Sequence, residues 1–190
     1  QEKAWEVANV MLNVMTCITL ALCVLAFIFV VPLVHIITPG FDPARMELTA
    51  NLTRIMLVTP VFFALASIFG AIQQSFNRFV LFALASVFYN AGIIFGILFL
   101  SKFTPVPIYG VALGVVLGTA VQAAIQLIGA LSLGFRYSFR LEFRHPAVSR
   151  ILKLMIPRSL DLGIDQFNLI IETAIGSRLV AGSLTSYYYA

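Results

Sequence analysis

VMLNVMTCITLALCVLAFIFVVPLVHII, residues 10–37, contains no Asp, Glu, Lys or Arg, and none occurs anywhere between Glu6 and Asp42. As a helix this stretch is about 42 Å long, against a hydrocarbon core of about 30 Å. It therefore reads as a membrane span with tilt to spare. Three more charge-poor runs follow, at about 55–77, 79–101 and 108–134. Composition agrees. Of 190 residues 61% are hydrophobic and only 11% charged, whereas soluble domains carry about 25% charged residues. Mean hydropathy is +1.00. The expected fold class is all-α: a multi-pass transmembrane helical bundle of about five spans, forming a single transmembrane unit over 1–190 and part of a larger protein. The chain begins at Gln1 and stops within SYYYA, which reads as an internal fragment.

Pro39 and Gly40 in TPGFDP end the first span, since neither continues a helix. Pro60 is expected to kink the second. Only a few residues around Arg78 separate the second and third spans, which predicts a tight antiparallel hairpin with Asn77-Arg78-Phe79 at its turn. Gly110, Gly114 and Gly118 recur every four residues in the fourth span; small residues at that spacing let a second helix approach closely. Gln122 and Gln126 are expected to hydrogen-bond between helices. Cys17 and Cys23 lie about 600° apart on a helix, on different faces, and have no metal-ligand neighbours. After the fourth span comes FRYSFRLEFRHPAVSRILK, with Arg136, Arg140, Arg144, Arg150 and Lys153 against Glu142. Such a loop belongs on the cytoplasmic side. Alternation then puts Lys3 and Arg78 inside, and Arg45, Arg54 and Lys102 outside. The net charge of +4 thus reports orientation, and no aromatic-interleaved basic patch suggests a nucleic-acid surface. The basic loop also offers contacts to membrane lipids.

The fifth span, expected at 157–178, carries PRSLDLGIDQFNLIIET. On a 100° wheel with Arg158 at zero, Asp161, Asp165, Asn168 and Glu172 all fall within an arc of about 80°. Leu160, Ile164, Phe167 and Ile171 take the other side. A charge at mid-membrane costs about 2.5–3.5 kcal/mol on the lenient insertion scale, so four facing lipid would cost on the order of 10 kcal/mol. The stripe is therefore expected to line a hydrated interior, which makes Arg158, Asp161, Asp165, Asn168 and Glu172 the candidate transport residues.

TPGF at 38–41, GAIQQSFNRF at 70–79 and PRSLDLGIDQFNLIIETAIGSRLVAGSLTSYYYA at 157–190 resemble the MurJ (MviN) family of lipid II flippases, within the multidrug/oligosaccharidyl-lipid/polysaccharide exporter superfamily. Gly163, Gln166, Asn168, Thr173, the Gly-Ser at 182–183 and the closing tyrosines fall where that family's seventh helix has them. The resemblance implies helices three to seven of fourteen, part of the N-terminal lobe of an alternating-access transporter in the bacterial cytoplasmic (inner) membrane. It implies lipid II, the undecaprenyl-linked peptidoglycan precursor, as cargo, with the missing helices of the same chain completing the site. The family's best-known cargo-contacting arginines would lie before Gln1 and after Ala190. It also implies sodium or proton coupling, with Glu172 aligned to the acidic residue that ligates sodium in relatives.

The resemblance implies a transporter and not an enzyme. No GxxxxGK[ST] loop occurs, as expected for transport without ATP. Two other readings remain open. A related polysaccharide-lipid flippase or cation-coupled multidrug exporter would keep the fold and change the cargo. An intramembrane enzyme would use Asp161 and Asp165 as a carboxylate pair.

Overall fold

The computed structural model describes residues 2–143 and 145–178. Its order is α1 (Glu2–Ile28), α2 (Val30–Ile37), α3 (Pro43–Met56), α4 (Thr59–Ser75), α5 (Val80–Leu98), a short 3-10 turn at Leu100–Lys102, α6 (Pro107–Ser132) and α7 (Pro146–Gly176). Strands are absent among the described residues. Four segments are long and apolar enough to cross a membrane: Ala4–Ile28, Pro43–Ser75, Val80–Lys102 and Pro107–Ser132. The chain is thus a multi-pass, all-helical membrane protein. At 31 residues α7 is also long enough, about 46 Å at the α-helical rise, but its charges lower its apolarity.

Four element boundaries differ from the sequence reading, each through a proline. The 10–37 stretch forms two helices parted at Phe29, because Pro32 in the first turn of α2 has no N–H to continue the ladder. Residues 43–56 form α3, which starts twelve residues before the span expected at 55–77: Pro43 occupies its first turn and the Asp42 carboxylate accepts a 2.8 Å hydrogen bond from Arg45 N, an N-cap that satisfies an orphan donor. Pro60 does not kink a continuous helix; it sits in the first turn of α4, after a turn at Leu57–Val58. The last helix begins at Pro146, eleven residues before Pro157, and runs on through it. There His145 Nδ1 accepts from Ala147 N at 3.2 Å, and Pro146 needs no donor at that position.

The hairpin between α4 and α5 is as tight as its sequence implied. Asn77 takes φ 56°, with Arg78 N on Gln73 O at 2.9 Å and Asn77 N on Gln74 O at 3.0 Å. These two bonds cap the helix end in the left-handed manner. Gly134, φ 88°, ends α6 the same way, with Phe135 N on Ala130 O at 3.2 Å.

Backbone-to-backbone packing joins α5 to α6. A Cβ built on Gly114 would lie 2.6 Å from Gly96 Cα, and one on Gly92 would lie 2.7 Å from Gly118 N. The glycine repeat is therefore a helix–helix seam, with Gly92 and Gly96 supplying the facing half. Beside it the side-chain amides of Gln73 and Gln126 pair between α4 and α6, and Gln73 Nε2 also donates to Gln126 O at 3.0 Å. Gln126 Nε2 reaches Phe82 O at 3.4 Å. The expected role of Gln126 thus holds, whereas Gln122 Oε1 is buried and meets no hydrogen-bond partner among the described residues. At the end of the bundle that carries the α4–α5 turn, Trp5 stacks on Phe76 at 5.5 Å and meets Phe135 edge-on at 5.9 Å, over a core of Leu12, Phe69, Ile72 and Ala130.

Replacing Gly114 by Val should lower unfolding stability in detergent by about 1–3 kcal/mol, because neither backbone can retreat without separating the helices. Gly163→Ala is the counterpart. A Cβ there meets nothing within 4 Å, so this change should be neutral or stabilising by up to about 1 kcal/mol. Thermal denaturation of both variants checks the pair.

Candidate functional site

Helix α7 is held at its two ends. Near its start, Val148 is fully buried with Val10, Met11 and Val14 of α1, and Ile151 packs on the same cluster. Near its finish, Gly40 N donates to Ser177 Oγ at 3.1 Å. A Cβ on Gly40 would lie 2.6 Å from Ser177 C, so glycine is what lets the two backbones touch. Between those contacts every residue from 153 to 172 is exposed. The middle of α7 therefore stands off from the other described helices.

Helical phase tells which flank borders that gap. Counting about 100° per residue from Arg158, the packed residues Val148, Ile151 and Ser177 point between about 20° and 100°. Leu160, Ile164, Phe167 and Ile171 point between about 180° and 240°, away from the bundle. They are 67%, 65%, 69% and 50% exposed, as a lipid-facing flank would be. Arg158, Asp161, Asp165, Asn168 and Glu172 occupy the arc from about 280° to 360°, at the edge of the packed flank. The structure thus keeps all five on one continuous helix and on one side of it. It does not bring them into contact with other groups: none takes part in a side-chain hydrogen bond or ion pair among the described residues.

The sequence reading missed the residues that fix where α7 begins. The segment after α6 runs extended along α1 and is held by two asparagines inside the first apolar helix. Asn9 Nδ2 donates to Arg136 O at 2.9 Å, and Asn9 Oδ1 accepts from Ser138 N at 2.8 Å. Asn13 Nδ2 donates to Ser138 O and Arg140 O, each at 3.2 Å, and Asn13 Oδ1 accepts from Tyr137 Oη at 2.9 Å. Arg140 also pairs with Glu6. Glu6, Asn9 and Asn13 follow one helix face at i, i+3 and i+7, and the two asparagines are only 3% and 8% exposed. Two amides one turn apart in an apolar run were the available signal.

A model of the family described as "Lipid II flippase MurJ" matches residues 1–190. The chain belongs to the MurJ family. Among curated relatives, the probable lipid II flippase MurJ of Rhizobium meliloti (strain 1021) is 32% identical over 191 residues, covering 97% of this chain and 35% of that protein. That of Buchnera aphidicola subsp. Acyrthosiphon pisum is 32% identical over 181 residues, covering 94% and 35%. The lipid II flippase MurJ of Burkholderia cenocepacia is 30% identical over 153 residues, covering 78% and 30%. The chain therefore spans about a third of the length of the curated relatives it matches. The Gly-Ser and tyrosines at 182–189 and Arg144 lie outside the described residues.

As to a coupling cation, no group of three or more His, Cys, Asp or Glu side chains converges among the described residues. A hard cation takes about six oxygen ligands; Glu172 offers one carboxylate and stands alone. The described residues do not by themselves form such a site.

In the full-length protein, cysteines placed at 161, 165, 168 and 172 should react with a membrane-impermeant maleimide, and cysteines at 164, 167 and 171 should not. A labelling scan with mass detection reads this out; equal labelling of both sets would contradict the two-flank arrangement. Asn9→Ala combined with Asn13→Ala should release the connector. Tryptic cleavage after Arg136 and Arg140 would then quicken by about tenfold or more, since five hydrogen bonds of roughly 0.5–1.5 kcal/mol each are lost.

Proposed function

We propose that the whole protein flips lipid II, the lipid-linked peptidoglycan precursor, across the bacterial cytoplasmic membrane by alternating access. The observation that carries this is the family match over the entire chain. The geometry supports it in one respect. A 31-residue helix is fastened at both ends, stands free between them, and turns a charged flank to the edge of the resulting gap. Polar groups at membrane depth belong beside water or a polar cargo, because lipid cannot solvate them.

In this reading Arg158, Asp161, Asp165, Asn168 and Glu172 form one wall of the transport path, and the apolar flank meets acyl chains. The wall is net acidic, three carboxylates against one guanidinium. It therefore repels a pyrophosphate group and guides it toward cationic groups supplied by the remainder of the protein. The protein acts as a transporter. Coupling to sodium or protons through Glu172 is a finer proposal, and it needs oxygen ligands from elsewhere in the whole chain.

The test uses the full-length protein in vesicles with fluorescent lipid II in one leaflet. Wild type should expose the label to an external quencher. Asp161→Asn, Asp165→Asn and Glu172→Gln should each slow exposure by about tenfold, about 1.4 kcal/mol in barrier height. Translocation by all three at the wild-type rate would remove the stripe from the path. Translocation of a polysaccharide lipid or a cationic drug in preference to lipid II would replace the cargo. For the coupling proposal, Glu172→Ala should abolish any sodium dependence of the rate; an unchanged sodium response would exclude Glu172 as a ligand.

A further inference from the structure

A second cavity lies at the opposite end of the bundle from the Asn9–Asn13 clamp, between α2 and α3. Its volume is about 480 Å³, and its walls include Val31, Val34, Met46 and Ala50. Three ionisable residues also line it: His35 from α2, and Glu47 and Arg54 from α3. Glu47 and Arg54 are seven residues apart, about 20° from the same azimuth and about 10 Å apart along the axis. They do not pair with each other. Among the described residues, neither lies within ion-pair distance of any opposite charge.

Arg54 is nonetheless held in place. Its Nη1 donates to Asn51 Oδ1 at 3.0 Å, and its guanidinium lies over the Phe27 ring, 5.9 Å from the centroid. The bond to Asn51 raises the guanidinium about one turn toward Glu47, which brings a fixed cation and an anion to within roughly one further turn of each other. A half-buried guanidinium beside apolar walls needs an anion, and Glu47 leaves room for a cation next to that anion.

The depth fits a lipid headgroup. From Ser75 the 17 residues of α4 rise about 26 Å, and Arg54 lies past the Leu57–Val58 turn beyond them, near the full hydrocarbon thickness from Ser75. It therefore sits at the level of lipid phosphates in the leaflet away from the basic connector. Below it Leu20, Val24 and Phe27, spaced along one face of α1, are 52%, 51% and 52% exposed. They make an apolar track that continues into the cavity at Val31.

We infer that this cavity binds the headgroup of one phospholipid bearing a phosphate and a primary ammonium, a phosphatidylethanolamine. Its phosphate lies on Arg54, its ammonium reaches Glu47, and an acyl chain lies along Phe27, Val24 and Leu20. His35 closes the rim from α2. Arginine suits the phosphate because its planar fork donates two parallel hydrogen bonds. The assignment is independent of the transported cargo.

The test is lipid binding by the full-length protein in detergent, read by native mass spectrometry. The probes are phosphatidylethanolamine, phosphatidylglycerol, inorganic phosphate and a lipid-linked pyrophosphate. Wild type should retain one phosphatidylethanolamine and prefer it over phosphatidylglycerol. R54Q should weaken phosphatidylethanolamine binding by about tenfold or more, as loss of a charge-assisted hydrogen bond predicts. R54K should recover part of it. E47Q should still bind, but without the headgroup preference. Thermal unfolding verifies that each variant is folded. The inference is overturned if R54Q binds phosphatidylethanolamine as wild type does, if phosphatidylglycerol is preferred, or if only the pyrophosphate lipid or inorganic phosphate competes for the site.

Discussion

Hydrocarbon offers no partner for a peptide N–H or C=O, so a chain this apolar must satisfy its backbone within itself. Every other feature follows from that demand. It makes each span a helix, and it makes each break in a helix a place where something specific takes over the freed groups. At Asn77 and Gly134 the left-handed residue closes the last carbonyls. At Asp42 and His145 a side chain covers the first amides. The connector after α6, which has no secondary structure of its own, is satisfied by the amides of Asn9 and Asn13.

Once the helices exist, packing and not hydrophobicity brings them together, since lipid tails are as apolar as leucine. The α5–α6 pair is the clearest case, with glycine facing glycine and backbones in contact. The Gln73–Gln126 pair adds a polar tie between α4 and α6. Against this rigid group α7 is exceptional. It touches α1 near one end and the α2–α3 turn near the other, and it is bare between. It is also the helix whose apolar flank is interrupted by charge.

Particular residues show how legible the chain was. The charge-free runs revealed the helices at 79–101 and 108–134 nearly to their ends, because apolar length has no alternative meaning in a membrane protein. Gly110, Gly114 and Gly118 announced a close helix contact, and the hairpin at Arg78 followed from its shortness. The prolines misled. Pro157 resembled a helix start yet lies inside α7, while Pro32 parted a run that composition had joined. A proline's effect depends on whether the carbonyl it abandons finds another partner, and that partner is not local in sequence. The polar stripe from Arg158 to Glu172 was readable because periodicity alone defines a face.

By itself, then, the sequence determined that this is a multi-pass helical membrane protein, that its sixth helix packs through glycines, and that its last helix carries charge on one side. These are consequences of composition and of a 3.6-residue period, which act locally. Only the tertiary structure decided which helix meets the glycines, that Asn9 and Asn13 hold a connector more than a hundred residues away, and that Gly40 touches Ser177. It also decided that Glu47 and Arg54 share one cavity with His35. Those facts depend on contacts between distant segments, and no local rule of propensity or spacing encodes which of the available faces will meet.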